Sequence, residues 1–190
     1  MNSVYIYDGD YKTGKEGEHL VRLAAARHCL EAGLDFDPRS AEIVRDEKGK
    51  PYFAEVPLEF SLTHSGKLWM CMFSDAPCGL DLQLMKECDY ERLADRWFLP
   101  GEADYVKENG EEGFFQIWVR KEAYCKMTGE GLFGGEMPDV LADEGRCGGR
   151  PYAFVEIEIS DEMKCAFCTS GDREYELRIL ASTEAVVKRR

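Results

Sequence analysis

The stretch Trp118-Val-Arg-Lys-Glu-Ala-Tyr-Cys-Lys-Met-Thr-Gly-Glu-Gly-Leu132 constrains this chain more than any other. At about 100° per residue in an α-helix, Phe114, Phe115, Trp118, Lys121, Glu122, Cys125 and Lys126 fall on one face. A core face would be apolar throughout, and a solvent face would not carry two phenylalanines and a tryptophan. Aromatic rings, a carboxylate and two ammonium groups on one face describe the wall of a cleft. Glu122 and Lys126 also have the i,i+4 spacing of an ordinary helical ion pair, worth about 0.2–0.5 kcal/mol. The helix alone leaves both readings open.

One hundred and ninety residues, 44% of them hydrophobic, suffice to bury a core in one large domain or two small ones. Acidic side chains outnumber basic ones 37 to 24, for a net charge of −13. Binding along a nucleic acid needs clustered Lys and Arg, so this balance argues against nucleic acid as a partner. No apolar run approaches the roughly 18 residues that span a bilayer. Met1-Asn-Ser-Val-Tyr-Ile-Tyr-Asp8 has neither the basic region nor the apolar core of a signal peptide. The expected setting is cytoplasmic, with no membrane contact, where the eight cysteines are reduced by default. Cys165-Ala-Phe-Cys168 is the only C-x-x-C, and no second pair completes a four-ligand zinc site. In a strand its two thiols would face opposite sides.

Along the chain, a strand at the start gives way to a helix over 15–33, closed by Gly33. Its Arg22 and Arg27 either snorkel to solvent or reach an anion. A short strand near 41–45 precedes Lys48-Gly-Lys-Pro-Tyr52, a turn. His64 lies in Phe60-Ser-Leu-Thr-His-Ser-Gly66 among hydroxyl side chains, the neighbourhood of a polar site rather than a core. Residues 68–73 and 78–84 read as a β-hairpin across Ser74-Asp-Ala-Pro77. In the second strand Leu80, Leu82 and Leu84 share one face, and Gly79, Asp81 and Gln83 share the other. That puts two oxygen-bearing side chains about 7 Å apart at the backbone, as a hard cation would use and as a half-exposed strand carries by default.

Residues 86–109 read as a helix, a break at Leu99-Pro-Gly101 and a second short helix from Glu102. Residues 129–149 hold seven glycines and read mostly as loop. Strands follow over 153–159, 163–169 and 175–180, and Lys188-Arg-Arg190 reads as a solvated end. The expected fold class is α+β: two similar α/β halves, residues 1–86 and 87–190, in a pseudo-twofold arrangement. Antiparallel sheets would pack with helices, and the active site would occupy the cleft between the halves. Two internal halves make a monomer the expected state.

Five motifs recur in a definite order: Gly49-Lys-Pro51, Leu62-Thr-His-Ser65, Gly79-Leu-Asp-Leu-Gln83, Trp97-Phe-Leu-Pro-Gly-Glu102 and Trp118-x-x-Lys-Glu-Ala-x-x-Lys-x-x-Gly129. In that set the chain resembles the 4'-phosphopantetheinyl transferases of the larger, surfactin-synthetase type. The last motif is fairly specific, Gly-Lys-Pro alone is not, and the order of all five carries the resemblance. It implies an enzyme that moves the 4'-phosphopantetheine arm of coenzyme A onto a serine of an acyl or peptidyl carrier protein, releasing 3',5'-ADP. It implies Mg²⁺, with Mn²⁺ as an alternative, held by Asp81 and Glu122 against the coenzyme A diphosphate, with Gln83 beside them. Glu122 would also draw the proton from the incoming serine, directly or through water. Lys126, with Lys121 alongside, would neutralise the diphosphate as the leaving group departs. Thr63 and His64 would lie near the coenzyme A phosphates, and Lys50 and Pro51 near the adenine.

Two departures stand out. Gln83 occupies a position where many relatives carry a second acid, so its oxygen would bind a metal without charge. The N-terminal region is shorter than in the type members and lacks their basic segment for the 3'-phosphate, leaving Arg22 or Arg27 as stand-ins. Both departures motivate a second reading, a catalytically silent relative that binds coenzyme A or a carrier without transfer. Carriers are often acidic too, so docking is expected to use a local patch. The candidates are the surroundings of Arg92, Arg96 and Phe98, or the 129–135 loop with Phe133.

Overall fold

The computed structural model describes residues 2–9, 15–35, 37, 40–132 and 134–180. Phe133 and the tail at 188–190 lie outside the described residues. The elements in order are β1 (Asn2–Asp8), α1 (Lys15–Ala32), β2 (Ile43–Arg45), β3 (Pro51–Phe53), β4 (Glu59–Ser65) and β5 (Leu68–Ser74). Then come β6 (Cys78–Leu84), α2 (Tyr90–Trp97), α3 (Pro100–Thr128), β7 (Glu144–Cys147), β8 (Arg150–Glu156), β9 (Met163–Thr169) and β10 (Tyr175–Ile179). They form one four-stranded sheet ordered β10-β1-β5-β4, another ordered β6-β9-β8-β7, and a small β2-β3 pair. The fold is α+β, and among the described residues every strand pairing is antiparallel except β1 with β10.

Residue alternation along the strands explains the layering. In β5, Trp69, Cys71 and Phe73 turn to a core shared with Leu20, Val21, Ala24 and Ala25 of α1. The intervening Met70 and Met72 join Val4, Leu80, Leu82, Cys165 and Phe167 in a second core between the two sheets. On the far side of the second sheet, Tyr152, Phe154 and Cys168 pack with Phe114, Ile117, Ala123 and Met127 of α3. The order is therefore α1, first sheet, second sheet, α3. A strand covered on both faces has no polar side to show, which is why β5 reads as an unbroken apolar run. Cys165 and Cys168 do face opposite sides of β9, and all eight cysteines are free. No described helix is long and apolar enough to cross a membrane.

Two expectations need correction. The hairpin read across residues 74–77 does not form. Both edges of β5 are taken, by β1 and β4, so β6 crosses to the other sheet and pairs with β9. β6 thus belongs to the second sheet, and β10 returns to the first. A strand, β7, occupies part of the glycine-rich stretch read as loop. It is turned into β8 by Gly148 and Gly149, at φ 55° and 80°, in a two-residue connection that favours glycine at both positions. The helix from Glu102 is short, as read: the backbone leaves helical geometry at Gly110 (φ 64°, ψ −145°), and a second helical segment of α3 carries the central face on to Thr128 and ends at Gly129 in the left-handed conformation.

Two local devices bring β6 to its neighbours. Its edge meets β4 without a backbone ladder: Ser61, Thr63 and Ser65 accept from the backbone N–H of Leu80, Leu82 and Leu84 at 2.9, 3.2 and 2.8 Å. These hydroxyls satisfy donors that burial would otherwise strand. On its other face β6 touches α3 through Gly79. A Cβ there would lie 2.0 Å from the Ala123 carbonyl oxygen and 2.4 Å from the Met127 nitrogen. Gly79→Ala must push strand and helix backbones apart, at a cost of about 3 kcal/mol or more. A thermal melt should show a loss of roughly 6–12 °C, and a melt unchanged from wild type would refute the close approach.

Candidate active site

The site grows from Asp81. Its position on β6 turns the side chain toward α3, where it is 2% exposed. A carboxylate so far from water needs donors, and three converge. Lys126 Nζ donates to Oδ1 at 2.7 Å, Thr63 Oγ1 to Oδ1 at 3.2 Å, and Gln83 Nε2 to Oδ2 at 3.1 Å. The same lysine donates to the Leu80 carbonyl at 3.0 Å, so its stem is fixed across the strand–helix seam. Lys126 thus bonds the strand carboxylate rather than closing an i,i+4 bridge with Glu122.

Glu122, one turn earlier on α3, lines the same cleft. Burial pushes its carboxyl above the ordinary range, the negative Asp81 pushes it further, and Lys126 pulls the other way. Two carboxylates facing one ammonium form a site with spare negative charge. The cleft holds about 680 Å³ and is walled by Leu93, Trp97, Phe114, Phe115 and Trp118. Phe114 stacks between Phe98 and Trp118, with ring centroids 5.3 and 5.8 Å away. A second hollow of about 360 Å³ shares Leu62, Glu122 and Lys126 with the first and reaches Gly49 and Pro51 in the β2–β3 turn.

Of the residues singled out in the sequence, Thr63, His64, Asp81, Gln83, Glu122 and Lys126 all line the larger cleft. His64 is exposed on β4. Pro51 and Lys50 line the second hollow. The Lys50 ammonium, though, turns inward to Glu59 at 3.3 Å, the Met127 carbonyl at 3.2 Å and the Cys78 carbonyl at 3.4 Å. It ties the turn to the C-terminal end of α3, where a cation meets the exposed carbonyls of the helix.

Lys121 does not reach the cleft. It pairs with Glu102 at 2.7 Å, the two side chains 4% and 0% exposed, and its ammonium lies 5.5 Å from the centre of the Phe98 ring. Glu102 also accepts from the backbone N–H of Leu99 at 2.8 Å and of Val140 at 3.1 Å. The lysine is a structural counter-ion because Glu102, buried at the start of α3, needs one. Sequence reasoning gave Glu102 no role beyond its place in a motif and at a helix start, yet its position three residues after the helix cap is the usual one for a carboxylate that reaches back to the cap N–H. Neither arginine of α1 turns to the cleft: Arg27 bonds Glu31 at 3.1 Å and the Ile179 carbonyl at 2.8 Å, and Arg22 donates to the Ala41 carbonyl.

The donor set suits a hard dication. Among the described residues no group of three or more His, Cys, Asp or Glu side chains could hold a metal unaided. Two carboxylates beside an amide leave most positions to water and substrate oxygens, the usual habit of Mg²⁺. Gln83 directs its nitrogen at Asp81, so only a turned amide would offer its oxygen to an ion.

A family profile described as the 4'-phosphopantetheinyl transferase superfamily matches residues 77–177, from the approach to β6 into β10. The chain belongs to that superfamily. A 4'-phosphopantetheinyl transferase of Bacillus subtilis is 28% identical over 173 residues, covering 87% of this chain and 72% of the relative. The 4'-phosphopantetheinyl transferase HetI of Nostoc is 35% identical over 129 residues, with 60% and 54% covered. AcpT of Escherichia coli K12, also named a 4'-phosphopantetheinyl transferase, is 39% identical over 121 residues, with 60% of each covered. The matched stretch thus spans little more than half the length of two of these relatives. Within the superfamily match lie Asp81, Gln83, Lys121, Glu122 and Lys126; Lys50, Pro51, Thr63 and His64 precede it.

The contrast between Lys121 and Lys126 can be measured. Lys121→Met strands a buried carboxylate and should cost about 3–5 kcal/mol in urea unfolding while changing the KM for coenzyme A less than twofold. A large KM rise with unchanged stability would put Lys121 on the ligand instead.

Proposed function

We propose that this chain transfers the 4'-phosphopantetheine moiety of coenzyme A to a serine of an acyl or peptidyl carrier protein and releases 3',5'-ADP. The observation that carries the reading is the meeting of Asp81, Glu122 and Lys126 at one point of the cleft, inside the region matched to the superfamily. Asp81 and Glu122 are the residues that would hold Mg²⁺, or Mn²⁺ in its place. Bound there, the ion supplies charge neutralisation to the diphosphate oxygens.

The remaining work falls to the chain. The serine oxygen bonds to the phosphorus that carries the pantetheine arm, and the bridging bond to the nucleotide phosphate breaks, its electron pair leaving with 3',5'-ADP. Glu122, with its carboxyl raised above the ordinary range, accepts the serine proton. Lys126 faces the departing phosphate and offsets its growing charge. The aromatic wall of Phe114, Phe115, Trp118 and Trp97 keeps water from the diphosphate, which strengthens each of these contacts. The second hollow, with Gly49 and Pro51, lies where the nucleotide end would extend from Lys126.

The test is direct. Protein, Mg²⁺, coenzyme A and an apo carrier should together give a carrier heavier by one phosphopantetheine unit in its mass spectrum. Chelating the divalent ion should stop the reaction, and its return should restore it. Glu122→Gln should lower kcat at least a hundredfold with the thermal melt unchanged. Coenzyme A binding in the calorimeter without transfer to any carrier in a panel would select the silent relative.

A further inference from the structure

The three hydroxyls of β4 are not equivalent. Ser61, Thr63 and Ser65 each accept from one backbone N–H of β6, and among the described residues Thr63 is the rung whose oxygen also bonds a carboxylate, Asp81 Oδ1 at 3.2 Å. A hydroxyl has one proton to give. Leu82 N–H occupies a lone pair of Thr63 Oγ1, so that proton is left for Asp81. The residue is 4% exposed, and its branched Cβ stiffens χ1 where the flanking serines keep more rotamers. With Gln83 Nε2 on Oδ2, both oxygens of Asp81 are held from the β4–β6 side, independently of Lys126.

We infer that Thr63 is a positioning residue that orients the Asp81 carboxylate for a divalent cation, rather than a contact to the coenzyme A phosphates. This rests on the proposed metal site at Asp81 and Glu122. When an ion and a diphosphate arrive, Lys126 must trade its bond to Asp81 for one to phosphate, and Thr63 remains to fix the carboxylate plane. Partners that orient a ligating carboxylate typically contribute 10–100-fold to metal affinity.

Mn²⁺ alone is the probe, its free fraction read by electron paramagnetic resonance with and without coenzyme A and with no carrier present. Thr63→Val should weaken Mn²⁺ binding about tenfold, and Thr63→Ala, which leaves room for water, should weaken it in the same direction. Thr63→Ser, which restores the proton, should come within about threefold of wild type. Ser61→Ala deletes a rung of the same kind and should lower the melting temperature while leaving Mn²⁺ affinity unchanged. The half-saturating Mg²⁺ concentration for transfer should follow the Mn²⁺ series, with the KM for coenzyme A at saturating Mg²⁺ unaltered. Wild-type binding matched by Thr63→Val and Thr63→Ala would overturn the positioning role and leave the transferase reading standing. A wild-type protein that takes up no Mn²⁺ even with coenzyme A would overturn the metal site, and this inference with it.

Discussion

The Asp81 carboxylate is 2% exposed between a sheet edge and a helix, and a charge carried that far from water must be met by donors or given up. Much of the local architecture follows from meeting it. Lys126 must arrive from α3, so the helix must approach β6 to within a side chain's reach, and Gly79, two residues before the carboxylate, permits that approach. Thr63 must arrive from the other flank, so the edges of the two sheets must meet through side chains rather than a ladder. Satisfying Asp81 takes Lys126 away from Glu122. The helical carboxylate is left facing the cleft with its charge poorly compensated. A divalent ion would resolve that imbalance, and a diphosphate would then give Lys126 a new partner.

A single strand carries this arrangement because both of its faces are covered. Leu80 and Leu82 point into the core between the sheets while Gly79 and Asp81 point at α3. The strand that supplies the carboxylate is therefore clamped by apolar burial on one side and by helix contact on the other. Such a scaffold holds a charged group within a fraction of an ångström, which phosphoryl transfer by positioning and electrostatics demands. Lys50 adds a bolt from outside, fastening the β2–β3 turn to the carbonyls of Met127 and Cys78.

Much of this was legible in the residues, and the failures share one cause. The aromatic and charged face of α3, the strand with Asp81 and Gln83, and the opposed faces of Cys165 and Cys168 are periodicities, and periodicity is a local property. What misled was non-local. A helical wheel places Lys121 one step from Glu122 but does not know that Glu102 waits on the other side, buried and in need of a cation. Adjacent strands with a turn between them suggest a hairpin unless the first strand is already flanked on both edges, as β5 is. Seven glycines in 129–149 suggest loop by count, whereas Gly148-Gly149 is a hairpin turn by conformation. The ordered motifs pointed to the family because they sample β4, β6, α2 and α3 together.

The pairing of β1 with β10 has a consequence for how the molecule comes into being. Strand β1 lies inside the first sheet, flanked by β5 and by β10, and Asn2 anchors its side chain on the carbonyls of Asp172 and Glu174. During synthesis at about 5–20 residues per second, the earliest strand waits roughly 10–30 s for its parallel neighbour to emerge. Through that interval an apolar strand with an unsatisfied edge is open to other chains. Moving β10 ahead of β1 by circular permutation would let both strands leave the ribosome together and shorten that exposure.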